Sequence, residues 1–272
     1  MMALPKLHVR LFGPFELVWG DETLTIPFPP KARSLLAYLI VHHGRSFPRD
    51  LLAGTFWPDR PDHRARRALS HTLWQIRRTL GPAADRLVAE RDTVTFVLHP
   101  DDWLDVAEFE SKMQEAGCRD RADISCLLPL ASCIRLYRAD FLEDIYDDWA
   151  LLERERLREL YLRALERLIT LHKQQGDYEQ ALTCAQRLAA ADPLREAAHR
   201  ELMRLYHLLG RDQAALEQYA TLRQLLEDEL GLEPTAASTA PCRATAAEMD
   251  EPALAYLPIP PPPPPALLDI RT

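Results

Sequence analysis

The residues best suited to chemistry are concentrated between His63 and Leu80. Arg64, Arg66, Arg67, Arg77 and Arg78 fall there with Ser70, His71 and Trp74, and the stretch contains no Asp or Glu. A guanidinium stays charged at any physiological pH, and its planar fork of donors matches phosphate oxygens and other paired acceptors. Like charges at i,i+4 repel, so surface helices normally mix signs. Five arginines without a compensating acid therefore point to an anionic partner. Leu69, Leu73, Ile76 and Leu80 recur at i, i+4, i+7 and i+11, which predicts a helix over 62–80 with one buried stripe. At 1.5 Å per residue it is ~27 Å long, enough to lie in a major groove and reach the flanking phosphates. Asp62 is expected to cap its first turn.

The surrounding elements must hold that helix. Leu7–Phe12, Phe15–Trp19 and Leu24–Ile26 alternate apolar and polar residues, the period of half-buried strands, with Gly13-Pro14 and Gly20-Asp21 as turns. Lys31–His43 has helical spacing, and Gly44 is expected as its C′ residue. Pro48 is placed to open a second helix carrying Leu51, Leu52 and Phe56. After the arginine-rich helix, Arg86–Glu90 and Thr93–Leu98 read as two strands around an Arg91-Asp92 turn. A small sheet, three helices and a hairpin, in that order, make an α+β winged helix-turn-helix over residues 1–100. On this reading Arg67, Ser70, His71 and Trp74 face base edges of double-stranded DNA, with Arg64 or Arg66 nearby, since Arg pairs with guanine O6/N7. Arg77, Arg78, Arg91 and Lys31 are assigned to phosphates, and Arg91 and Thr93 at the hairpin tip to the backbone or the minor groove.

Charge is distributed to match. The first hundred residues carry 14 Lys and Arg against 9 Asp and Glu, whereas the remaining 172 carry 19 against 32. A basic head on an acidic body is what a protein needs when only the head meets phosphate. From about 105 to 231 the chain reads as amphipathic helix. Gly176–Leu182 recurs as Gly210–Leu216 at an offset of 34 residues, the period of tetratricopeptide repeats. Pro193 closes the first repeat, and Glu227 stands at that place in the second. Stacked helix pairs form partner-binding surfaces, so residues 101–235 are expected to be an all-α interaction domain.

Other chemistries are not supported. Cys118, Cys126, Cys133, Cys184 and Cys242 lack metal-ligand spacing and read as reduced thiols on helix faces, so no metal or cofactor is expected. The acids of Asp144–Asp148 read as the solvated start of a helix. No phosphate-binding G-x-x-x-x-G-K-[ST], no G-x-S-x-G and no paired catalytic carboxylates occur, so no enzymatic role is expected. Met1–Leu7 does not resemble a signal peptide and no apolar run has membrane-spanning length, which predicts a cytoplasmic protein that joins the nucleoid when bound to DNA and has no membrane partner.

The stretch Ala65-Arg-Arg-Ala-Leu-Ser-His-Thr-Leu-Trp-Gln-Ile-Arg-Arg-Thr-Leu-Gly81 resembles the recognition helix of the bacterial antibiotic-regulatory transcription activators, whose DNA-binding part is an OmpR-type winged helix. Leu136–Asp144, Ala191–Glu196 and Leu230–Thr235 are similar to the bacterial transcriptional activator domain that follows it in that family. The resemblance runs from about 7 to 235. It implies transcription activation, direct-repeat promoter sites, contact with RNA polymerase, and a helical domain used for self-association or regulation. A second reading is a helical-repeat adaptor whose winged helix binds protein rather than DNA. The chain departs from the family after Thr235, where a further helix usually follows. Ala236–Thr272 is rich in Ala and Pro and is expected to be a disordered tail, with Pro260–Pro265 in polyproline II form, either a ligand for a proline-binding groove or a solubilising extension.

Overall fold

The computed structural model describes residues 6–24, 29–117 and 123–240. They form two compact units, one ending at Leu171 and one starting at His172. The first opens on an antiparallel meander of β1 (Leu7–Arg10), β2 (Glu16–Trp19) and β3 (Glu22–Thr23). Alternation along β1 buries Leu7 and Val9 completely, and Leu17 of β2 joins them. The third strand lies earlier than the expected Leu24–Ile26, because Val18 pairs with Thr23; Thr25 and Ile26 lie outside the described residues.

A fourth strand was not legible in the sequence. β7 (Trp103–Leu104) runs parallel to β1. Carboxylates on either side fasten it. Asp102 accepts the Leu7 N–H at 2.8 Å and two hydrogen bonds from Arg86, at 2.8 and 2.9 Å. Asp105, 2% exposed, accepts the N–H groups of Leu11, Phe12 and Val106. Backbone donors at the end of β1 that no strand reaches are thus satisfied by side chains. Burial pushes the Asp105 carboxyl up, against the pull of those three N–H groups.

Three helices follow: α1 (Pro30–Val41), α2 (Arg49–Phe56) and α3 (Asp62–Leu80). Their ends correct three expectations. Pro48 is the N-cap of α2 and the last residue of a short strand, β4 (Phe47–Pro48), rather than the first helical residue. Pro61 is the N-cap of α3, and Asp62 sits in the first turn without a side-chain cap bond, where its charge complements the helix dipole instead. His42 is the C-cap of α1; Gly44, two residues on, donates its N–H to Phe96 at 2.7 Å.

The hairpin comprises β5 (Leu87–Ala89) and β6 (Thr93–Phe96), and β4 pairs with β6 to give the order β4-β6-β5. Pro48 is tolerated because β4 is an edge strand. Arg86 is not in a strand: it ends a 3-10 turn (Gly81–Arg86), buried against Asp102, with its guanidinium 4.6 Å from the Trp19 ring centroid.

The rest of this unit is mainly helical: α4 (Asp105–Gly117), a 3-10 turn (Ile124–Cys126), α5 (Leu127–Leu136) and the greater part of α6 (Asp148–Gln174). Cys126 and Cys133 are buried among these helices, as Cys184 is in the second unit, and burial pushes the Cys133 thiol up to about 12. Cys118 and Cys242 lie outside the described residues.

The second unit contains α7 (Tyr178–Ala191), α8 (Glu196–Leu208) and α9 (Asp212–Leu230). Gly176 and Gly210 take φ of +76° and +69° in equivalent turns, a conformation that favours glycine. Ala181 and Ala215 are buried at matching places. The repeats differ where their sequences differ: α7 stops before Pro193, whereas α9 runs through Glu227 to Leu230. The stretch after Thr235 corrects the expected tail. Residues 236–240 are helical, and Ser238 is fully buried. Ser238 and Thr235 both donate to the Glu196 carboxylate, and Arg200 donates to the Ser238 hydroxyl at 3.1 Å. A further helix therefore begins after Thr235, docked on α8. Pro260–Pro265 lie outside the described residues.

Candidate nucleic-acid interface

α3 buries Ala65, Leu69, Thr72, Leu73, Ile76 and Leu80. Directly opposite, Arg67, His71, Trp74 and Arg78 recur at i, i+4, i+7 and i+11 and are all exposed. Trp74 is 56% exposed. The Arg78 guanidinium lies 5.6 Å from its ring centroid, and the His71 ring centroid lies 6.1 Å away. Cation–π attraction sets Arg78 beside the indole while leaving its donors outward. The four side chains form one ridge along the free face of the helix.

The remaining sequence-assigned residues separate onto two flanks. On one, Arg66 pairs with Asp50 of α2 at 2.6 Å. Ser70 accepts from Arg49 at 3.0 Å and donates to the Arg66 carbonyl. Arg77 donates to the Leu87 carbonyl of β5 at 3.0 Å. These three side chains hold α3 to α2 and to the hairpin. The Arg66–Asp50 pair is exposed on both sides, so it is worth only ~0–1 kcal/mol and sets orientation more than stability.

On the other flank a groove of about 690 Å³ opens between the start of α1 and α3. Lys31, Arg60, Arg64, Arg67 and His71 line it, with Trp57, Gln75 and smaller side chains between them; among the described residues no acid does. The side chains of Arg60, Arg64 and Arg67 have no polar partner among the described residues. Lys31 donates to Asp147 at 3.0 Å.

At the hairpin tip Arg91 is exposed. Thr93 is partly buried, because β4 pairs beside it, and its hydroxyl donates to Glu90 at 3.2 Å. Arg49 donates to the Glu90 carbonyl at 3.1 Å as well as to Ser70, and its N–H reaches the Asp92 carbonyl at 2.9 Å. It therefore links the hairpin tip to α3. The sequence reading missed Arg49, Asp50, Arg60 and Gln75. Arg60 carried a visible signal, as a cation one residue before Pro61 and the arginine-rich helix. Arg49 and Asp50 carried none, because their role depends on the crossing of α2 over α3.

The Asp144–Asp148 acids also differ from expectation. Asp144 pairs with Arg33 at 2.5 Å, Asp147 pairs with Lys31, and the Trp149 indole N–H donates to Ser34 at 3.1 Å. The segment is fastened to α1 instead of simply facing solvent. Among the described residues no group of three or more His, Cys, Asp or Glu is arranged to hold a metal ion, and no helix is long and apolar enough to cross a membrane.

Residues 104–244 match the family described as bacterial transcriptional activator domain. The chain is 30% identical over 236 residues to the regulatory protein AfsR of Streptomyces coelicolor, covering 84% of this chain and 23% of AfsR. It is 28% identical over 247 residues to the regulatory protein DnrI of Streptomyces peucetius, covering 85% of this chain and 88% of DnrI. The chain thus spans under a quarter of AfsR and most of DnrI. Among solved structures, Mycobacterium tuberculosis EmbR in complex with a low-affinity phosphopeptide superposes with a TM-score of 0.68 at 22% identity, over 90% of this chain and 66% of that one. That likeness shows the same fold: a winged helix followed by a helical-repeat domain.

Proposed function

Because the chain belongs to the family of the bacterial transcriptional activator domain, we propose that it is a DNA-binding transcription regulator acting as an activator. The observation that carries this reading is the Arg67–His71–Trp74–Arg78 ridge, exposed, free of acids and beside an exposed hairpin tip. Such a surface presents fixed cations and donors to a polyanion with little competing self-pairing. The ridge enters the major groove of double-stranded DNA, with Arg67, His71 and Trp74 toward base edges and Arg64 beside them. Arg78 and Arg91 meet phosphates. Arg66, Ser70 and Arg77 position the helix.

The names of the relatives support the same class, since AfsR and DnrI are both regulatory proteins. The helical domain is assigned self-association or contact with RNA polymerase, and the site is a promoter with direct repeats. Action in the cytoplasm, at the nucleoid, follows from that assignment, and no reaction is assigned to the chain.

The test is a titration of the protein into a duplex from its own gene's upstream region across a series of salt concentrations. Each phosphate neutralised adds ~0.9 to the slope of log K against log salt. Binding with a steep slope that is lost on removing the Arg67 and Arg78 charges supports the reading. Absence of affinity for any duplex, with the fold intact, returns the protein to the adaptor class.

A further inference from the structure

Lys31 stands between two features. On one side it lines the acid-free groove with Arg60, Arg64 and Arg67. On the other its ammonium group donates to Asp147 at 3.0 Å. The three arginines have no partner among the described residues, so Lys31 is the one cation of the groove already held by a carboxylate. The groove shares Arg67 and His71 with the ridge. A duplex lying along the ridge therefore carries its backbone over the groove mouth.

We propose that Asp147 is an intramolecular stand-in for a DNA phosphate: it occupies Lys31 in the free protein, and a backbone phosphate entering the groove takes Lys31 from it. This rests on the DNA-binding reading and deepens it, by making one contact of the helical segment a brake on the interface.

The geometry suits an exchange better than a permanent clasp. Lys31 and Asp147 side chains are 51% and 31% exposed, so solvent and phosphate can reach the pair. A lysine ammonium is a compact charge on a flexible stem, able to swing between acceptors. The segment carrying Asp147 does not depend on Lys31 for its place. Arg33 pairs with Asp144 and also donates to the Phe15 carbonyl at 3.3 Å, and Trp149 donates to Ser34. Release of Lys31 thus leaves the segment seated and frees one positive charge beside three others. The Asp147 carbonyl accepts from Ala150 and Leu151 at the start of α6, a backbone role that side-chain changes spare.

The experiment is a double-mutant cycle on the full chain with a fluorescent duplex of random sequence at low salt, where phosphate contacts dominate. Asp147→Asn keeps the size and the helix-capping ability of the side chain. It is expected to tighten binding about two- to fivefold, the range set by a partly exposed ion pair. Lys31→Ala is expected to weaken binding and to lower the salt slope by about 1. In the Lys31→Ala background, Asp147→Asn is expected to change nothing. Thermal melting of each variant reports on the fold. Two results overturn the proposal: unchanged binding in folded Asp147→Asn, or a tightening that persists without Lys31, which marks a general loss of negative charge. If the parent protein binds duplex and the cycle fails, only this proposal falls. If the parent binds no duplex at any salt, the DNA-binding reading falls and takes the proposal with it.

Discussion

α3 and α6 each carry five arginines, and almost nothing else about those arginines is alike. In α6 they alternate with Glu153, Glu155, Glu159 and Glu166. Arg156 pairs with Glu110 and Glu153, Arg158 with Glu155, and Arg163 with Glu159. Arg154 donates to the carbonyls of Phe141, Leu142 and Ile145, tying down a loop in which Leu142 holds a positive φ of 46°. Arg167 donates to the Ala116 carbonyl at 2.9 Å. Every α6 arginine is spent inside the molecule. In α3, Arg66 and Arg77 are held by neighbours, while among the described residues Arg64 and Arg67 have no partner and Arg78 has only the Trp74 ring. Arginine content therefore says little about function; the fraction left unpartnered, and the face it lies on, says much.

The largest expected effect tests the paired extreme. Arg86 and Asp102 have side chains 5% and 1% exposed. Asp102→Asn leaves the buried guanidinium with the exposed Asp85 as its carboxylate partner, at 2.8 Å, and a cost toward the lower end of about 3–5 kcal/mol is expected in chemical denaturation, with DNA binding of the folded fraction retained. Burial acts to raise the Asp102 pKa, but hydrogen bonds from Arg86 and from the Leu7 and His99 N–H groups outweigh it, so the folded value lies below 3.8. Its contribution is complete above that unfolded value and lost as pH falls through the lower, folded one. The acid limb of the stability curve should flatten in Asp102→Asn; an unchanged limb contradicts the assignment.

Next come the ridge residues. Arg67→Ala or His71→Ala should cost about 1–3 kcal/mol on the cognate site and relax base preference there, with little change in melting. An equal loss on all sequences would demote either residue to a phosphate contact. Arg78→Ala should weaken cognate and random duplexes alike and lower the salt slope by about 1. Loss confined to one base step would reverse that role.

The smallest effect is the converse control. Arg163→Ala removes an exposed i,i+4 pair of α6 and should change stability by no more than ~0.5 kcal/mol and duplex affinity not at all. A measurable loss of DNA binding would erase the distinction between the two helices.

Much of the site was legible because it rests on local rules. Helical periodicity and the absence of acids defined α3 and its outward face, and the 34-residue repeat with its paired glycines marked the helical unit. What was missed is non-local. β7 joins β1 across more than ninety residues, and its signal was two aspartates resembling an ordinary helix start. β4 is two residues long and contains a proline, so no pattern could show it. The helix after Thr235 was hidden by composition, since its docking depends on Glu196, some forty residues earlier.

The sequence by itself determined that α3 is an amphipathic helix rich in arginine and without acids, because periodicity and charge sign are properties of neighbours along one chain. Only the tertiary structure decided which of those arginines remain available. Arg66 is claimed by Asp50, Arg77 by the Leu87 carbonyl and Ser70 by Arg49, while Arg67, His71, Trp74 and Arg78 stay exposed. Hydrogen bonds and ion pairs act over a few ångströms, so their partners are set by how α2 and the hairpin pack against the helix, not by distance along the sequence.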